Sequence, residues 1–193
     1  NHEEMESHGT DIARRRKVVR EKILACKELW TKEEASFAGE YVNFEASWAW
    51  PKPVQQPHPP IIIGGGGPKR TPALAARYAS EFNLAFPTLD FVSLQFGRVR
   101  AAVEEAGRPA GDITYSAAFV VCAGADEAEV RRRAAVIGRE VDELRANSPL
   151  AGTPAEIAGR LDEFAEAGVQ RVYLQLLDLS DLEHLQLFAA EVM

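Results

Sequence analysis

Apolar residues recur at steps of three and four along five stretches of the chain. Residues 11–30 place Ile12, Val19, Ile23, Cys26 and Trp30 on one helical face, and residues 89–106 do the same with Val92, Phe96, Val99 and Val103. Residues 126–145 repeat the pattern with Val130, Ala134, Ile137, Val141 and Leu144. Residues 154–167 carry it on Ile157, Leu161 and Phe164, and residues 181–192 on Leu182, Leu185, Ala189 and Val192. The spacing predicts a helix over each stretch, with one stripe buried and the rest wet. Local chemistry agrees. Thr153, Pro154 and Glu156 form a capping box with proline at the first helical position. Gly168 and Gly107 stand where a helix would stop on a left-handed residue.

Between these stretches lie short apolar runs that do not alternate. They are Ile61–Ile63 after Pro60, Phe82–Phe86, Ile113–Cys122 and Val172–Leu177. Continuous apolarity suits strands covered on both faces, as in a parallel sheet. Strand and helix in strict alternation predict βαβ units and an α/β fold. Four parallel strands are expected, near residues 61, 82, 114 and 172.

The stretch 36–60 breaks the pattern. It holds Trp48, Trp50, Pro51, Pro53, Pro57, Pro59 and Pro60, and reads as an extended arm with a short hairpin piece at Gly39–Phe44. Loops carry function often enough that Trp48 and Trp50 are candidate ligand contacts, although packing on the outside of the core is the plainer reading. His58, between two prolines, reads as structural.

Composition narrows the partners. A net charge of −7 disfavours contact with nucleic-acid backbones or anionic membranes, which both need concentrated positive charge. The run Arg14–Lys17 lies on a helical pattern and reads as a solvated face. Cys26 and Cys122, with no metal or redox spacing, read as buried thiols in a reducing, cytoplasmic setting. No signal-peptide pattern or apolar run of membrane length is visible. Asn1 is not a start methionine, and the first ten residues show no period, so a fragment or processed form is one expectation.

The segment Ile61–Pro72 carries the most chemistry. An apolar strand runs into Gly64, Gly65, Gly66 and Gly67, followed by Pro68, Lys69, Arg70, Thr71 and Pro72. Thr71 is a plausible N-cap, with Pro72 first in the helix. Without Cβ atoms the loop turns sharply and brings several N–H groups to one point. The helix start adds unpaired donors and partial positive charge, and Lys69 and Arg70 add full charges. The pattern predicts an anion site, most naturally for phosphate. It is neither a P-loop, because Arg70 follows Lys69 where Ser or Thr belongs, nor a dinucleotide fingerprint, because the third glycine is missing. A flexible strand-to-helix turn is the competing reading.

At this segment the sequence resembles the luciferase-like monooxygenase family, and within it the members using coenzyme F420. The residues that carry the resemblance are Pro51–Gln55, Pro57–Pro60, the isoleucines and glycines, Ala75–Ala79 with Phe82 and Asn83, then Gly152–Ile157, Ala167–Val169 and Arg171–Gln175. Asn1–Met5 is similar to the stretch after that family's fourth strand. The resemblance implies a TIM (β/α)8 barrel, with residues 1–193 supplying about its C-terminal half as part of one domain. It also implies that the family's acid/base histidine and early-strand pocket residues belong to the other half, so no catalytic residue and no metal ligand is assigned here. What carries over is the phosphate end of the cofactor site: Gly64 to Gly67 through their N–H groups, with Lys69, Arg70 and Thr71 assisting. Asn83, placed at the end of the next strand, either touches the ligand or fixes the loop by a hydrogen bond. Gln175 has a similar, weaker case.

The function implied is an oxidoreductase using F420 or FMN, with F420 favoured, for hydride transfer to or from a small organic substrate. A homodimer, or pairing with the missing N-terminal half, is expected. Two other readings stay open. One is a non-catalytic half-barrel module for binding or assembly, since open sheet edges tend to pair. The other is a different phosphate-handling barrel. The strand ends offer mainly Gly64, Asn83, Gly124 and Gln175, with Asp178 slightly beyond, which is poor equipment for acid/base work.

Overall fold

The computed structural model describes residues 2–9 and 11–193, which fall into two compact units meeting in sequence at Ile61 and Ile62. The first unit holds helices α1 (His2–Ser7) and α2 (Arg15–Thr31) and antiparallel strands β1 (Ala35–Ala38) and β2 (Asn43–Ser47). The front of the expected arm is therefore a hairpin, with its turn over residues 39–42. Glu21 of α2 clamps that turn. Its carboxylate accepts from the N–H groups of Glu40 (3.1 Å), Tyr41 (2.7 Å) and Val42 (3.0 Å). Those bonds, led by the one from Tyr41, hold Glu21 below the usual carboxylate range. Residues 48–61 contain no helix or strand. Lys52 donates to the carbonyls of Leu29 (2.8 Å) and Lys32, placing a cation on the negative end of α2. Trp48 and Trp50 are exposed, at 75% and 63%. Cys26 is half-buried rather than in the core.

The second unit alternates as the periodicity predicts. In order it runs β3 (Ile62–Gly64), α3 (Arg70–Tyr78), β4 (Glu81–Ala85), α4 (Leu89–Glu105), β5 (Thr114–Ala123), α5 (Glu127–Val136), α6 (Val141–Asn147), β6 (Leu150–Gly152), α7 (Pro154–Glu166), β7 (Arg171–Gln175) and α8 (Leu182–Glu191). All its strand pairs are parallel. The sheet order is β3-β4-β5-β7, the four expected strands in chain order. A fifth strand, β6, pairs with the far end of β5 through Val121↔Leu150 to Ala123↔Gly152. It escaped the sequence reading because three residues are too few to show a period.

One face of this sheet packs on helices. Phe82 and Tyr115 meet Phe96 of α4 at ring separations of 6.1 and 4.9 Å, and Phe119 meets Phe164 of α7 at 4.7 Å. Val92, Phe96, Val99 and Val103 are buried as their stripe predicts, and so are Ile157 and Phe164. Alternate residues point to the other face. There Asn83 donates to the Ser116 hydroxyl (2.9 Å), and Arg171 pairs with Glu81, whose second carboxylate oxygen is buried without a partner among the described residues.

Three helix expectations need correction. Residues 126–145 form two helices, because Gly138 takes φ +68° and ends the first run. In α8 the buried residues are His184 and Phe188, while Leu182 and Leu185 are 64% and 47% exposed. On α2 only Ala25 is buried, and Val19 is exposed. The α8 stripe was misjudged because hydropathy does not see the polar network that turns the helix. Arg133, 5% exposed, pairs with Asp181 (2.8 Å) and Glu129 (3.1 Å) and donates to the Ala123 carbonyl (2.8 Å). The Ala123 N–H donates to His184 Nε2 (2.8 Å), and Asp181 caps α8 by accepting from the His184 N–H (2.9 Å). Burial, then the Arg133 charge, pushes His184 below its ordinary value. The caps at α7 hold as expected: the Glu156 carboxylate accepts from the N–H (2.8 Å) and hydroxyl (2.9 Å) of Thr153.

Candidate functional site

Gly64 is the last residue of β3, so the glycine corner opens at a strand's carboxyl end, where α/β sheets bind ligands. Three of the four glycines here have a steric reason. A Cβ on Gly64 would stand 2.9 Å from the Asn83 carbonyl oxygen, and one on Gly66 would stand 3.0 Å from the Phe91 ring. Gly65 has φ +129°, a conformation that L side chains rarely adopt.

Two of the corner's carbonyls have a side-chain donor. The Gln95 side chain, fully buried on α4, donates from Nε2 to the carbonyls of Gly65 (3.2 Å) and Gly67 (3.0 Å). Its own oxygen accepts from Arg98 (3.1 Å). With the carbonyls tied down, the N–H groups of Gly65, Gly66 and Gly67 find no acceptor among the described residues. Sequence reasoning missed Gln95. A polar residue adjoining the apolar α4 stripe was the available signal, but its partners lie 28 and 30 residues away.

Helix α3 starts at Arg70, two residues earlier than expected, and Thr71 is not its cap. Lys69 holds the cap position with no side-chain hydrogen bond. Thr71 instead lies within its first turn, with its side chain beside Gly65. Lys69 and Arg70 are exposed, and neither side chain has a partner among the described residues. Gly64 to Gly67, Lys69, Arg70 and Thr71 thus gather at one corner that combines unbonded amides, a helix start and two free cations.

Asn83 stands apart from that set. It sits inside β4 rather than at its end, paired in register with Gly64, and its amide is bonded to Ser116. Gln175 ends β7 and pairs with Val120, four residues along β5 from Ser116. At ~3.3 Å rise per residue, that is about 13 Å farther along the strand. Asp178 makes a local turn, accepting from the Ser180 N–H (3.0 Å) and hydroxyl (2.6 Å).

The fold of the chain occurs in solved structures. A monooxygenase from Streptomyces bottropensis superposes with a TM-score of 0.79 at 18% identity, over 98% of this chain and 64% of its own. An F420-dependent secondary alcohol dehydrogenase gives 0.75 at 15%, over 94% and 63%. The F420-dependent tetrahydromethanopterin reductase of Methanopyrus kandleri gives 0.71 at 17%, over 92% and 62%. At these identities the likeness establishes the fold: an α/β parallel sheet matching part of a luciferase-like TIM barrel.

Among curated proteins, one of Mycobacterium tuberculosis with no assigned function is 47% identical over 79 residues, 41% of this chain and 28% of its own length. The FMNH2-dependent dimethylsulfone monooxygenase of Pseudomonas putida is 30% identical over 79 residues, 41% of this chain and 22% of its own. The matched segments thus span less than a third of the curated relatives. The luciferase-like monooxygenase model matches residues 1–141, most of the chain. That match covers more than half of the chain, and the chain belongs to the luciferase-like monooxygenase family.

Proposed function

We propose that the chain supplies the phosphate end of a flavin or deazaflavin site in an oxidoreductase acting on a small organic substrate. The observation that carries this is the corner itself. Three consecutive glycine amides find no acceptor among the described residues, while the Gly65 and Gly67 carbonyls are held by buried Gln95. Backbone donors fixed in this way bind an anion without reorganising. Lys69 and Arg70 add attraction that salt would screen. The bound cofactor supplies hydride transfer; this chain's residues anchor and orient it.

Coenzyme F420 is favoured and FMN is the alternative, since both present a phosphate to the same donors. The relatives and neighbours described above include users of each. Fluorescence titration of the protein with FMN and with riboflavin tests the anchor. FMN is expected to bind at least tenfold more tightly, equivalent to about 1.4 kcal/mol. Gly66→Val, whose added carbons meet the Phe91 ring, is expected to remove that preference. Equal affinity for riboflavin, or indifference to Gly66→Val, overturns the reading.

A second reading, a half-barrel module closed by another chain, draws on one observation. The stripe Leu182 and Leu185 on α8 is apolar and exposed, as a surface awaiting cover would be. Co-purification with a polypeptide supplying the remaining barrel strands, and no cofactor binding without it, would favour that reading.

A further inference from the structure

The sheet's carboxyl-end region bears a second feature. A cavity of about 480 Å3 lies there, inside the ~300–1,000 Å3 range of small-molecule sites. Its apolar walls are Phe86 just after β4, Val120 of β5, Leu144 of α6 and Leu177 just beyond β7. The polar groups around it are mostly spoken for. Arg139 and Glu143 pair with each other at 3.3 Å. The Ser148 hydroxyl donates to the Val120 carbonyl, and the Asn147 amide to the Glu143 carbonyl (2.9 Å). Gln175 differs: its side-chain amide has no partner among the described residues. It therefore offers a donor and an acceptor in the lining of the cavity.

Phe86 adds an independent observation. Among the described residues it is the sole non-glycine with positive φ, at 52°. Its N–H donates to the Ala118 carbonyl (2.8 Å), which holds the conformation. Strain of this kind persists where the surroundings over-determine it and concentrates at ligand sites. Here it sets an aromatic ring, half exposed, into the cavity wall.

We propose that this cavity binds the body of an uncharged, largely apolar organic substrate bearing one carbonyl or hydroxyl, and that the Gln175 amide recognises that oxygen. The inference rests on the oxidoreductase reading above and gives its substrate a class. Charge is disfavoured because Arg139 and Glu143, the charged groups of the lining, offset each other and leave no net charge to balance an ion. The apolar walls release water when an apolar body enters. A hydrogen bond from an otherwise unbonded amide then fixes orientation.

Acetophenone and benzoate serve as probes of similar size, one neutral and one anionic. Ligand-observed NMR measures the dissociation constant of each for the purified protein, with and without FMN. Acetophenone is expected to bind at least tenfold more tightly than benzoate. Gln175→Leu is expected to weaken acetophenone at least fivefold, and Leu177→Asp, at another exposed position, to abolish its binding. Leu182→Ser, outside the cavity, is expected to leave it unchanged. No acetophenone binding, equal binding of benzoate, or indifference to both cavity substitutions overturns the proposal. Because the probes are also titrated without FMN, a failed cofactor reading and a failed substrate site give different results.

Discussion

Gln95 and His184 are single side chains whose roles depend on partners far away in the sequence. Gln95→Leu would leave the Gly65 and Gly67 carbonyls facing a buried site without their donor. Leaving such groups unsatisfied costs about 1–3 kcal/mol, so urea unfolding should show a loss in that range, with weaker FMN binding beside it. Unchanged stability would mean that water replaces Gln95. His184 makes a pH prediction. Its Nε2 accepts from the Ala123 N–H, so the folded state holds the ring neutral, and burial lowers its proton affinity below the ordinary 6.5. The unfolded chain takes up a proton near that value while the folded chain resists. Its contribution is thus fully present above pH 6.5 and declines as pH falls toward the lowered folded value. His184→Gln, which can still accept from Ala123, should flatten the stability slope below about pH 6.5. Asp181, held below the ordinary 3.8 chiefly by Arg133, begins to lose its contribution only below about pH 3.8, after the His184 loss has begun. An unaltered slope in the variant would assign the pH dependence elsewhere.

At the scale of elements, α5, α8 and the end of β5 are joined through Arg133. Removing one partner of a buried ion pair costs about 3–5 kcal/mol, because the remaining charge is stranded. Asp181 also caps α8, while Glu129 still serves Arg133. Asp181→Ala should therefore fall near the lower end of that range in chemical denaturation. A loss below about 1 kcal/mol, the scale of a cap alone, would show that Glu129 compensates fully. Gly138→Ala should cost about 1–2 kcal/mol, since it forces an L side chain into the left-handed region between α5 and α6. These elements show where reading the sequence succeeded. The stripe of α4 and the capping box of α7 were legible because helix period and cap chemistry act within a few residues. The break at Gly138, the brief β6 and the orientation of α8 were not. A lone glycine is tolerated in many helices, three residues show no period, and the α8 face was chosen by Arg133, 48 residues before its partner Asp181.

For the molecule as a whole, the share of its structural neighbours that it spans matters more than any single contact. The neighbouring structures extend well beyond this chain, which covers 63% of the alcohol dehydrogenase and 64% of the Streptomyces monooxygenase. Leu182 and Leu185 are left in water, and among the described residues β3 pairs only with β4 and β7 only with β5. The 193-residue polypeptide made alone should consequently self-associate in size-exclusion chromatography, and the pair Leu182→Glu with Leu185→Lys should reduce it. A monodisperse monomer would show that these edges and this stripe need no cover. No helix among the described residues is long and apolar enough to cross a membrane. The sequence by itself determined the alternation of strand and helix, the parallel sheet and the glycine corner at a strand's end, because hydropathy period, caps and glycine stereochemistry are local. Only the tertiary structure decided that Gln95 turns the corner's carbonyls inward, that Asn83 is bonded to Ser116, and that Gln175 stays unbonded beside a strained Phe86. Those outcomes depend on which side chains meet across the sheet, and packing between distant segments sets them.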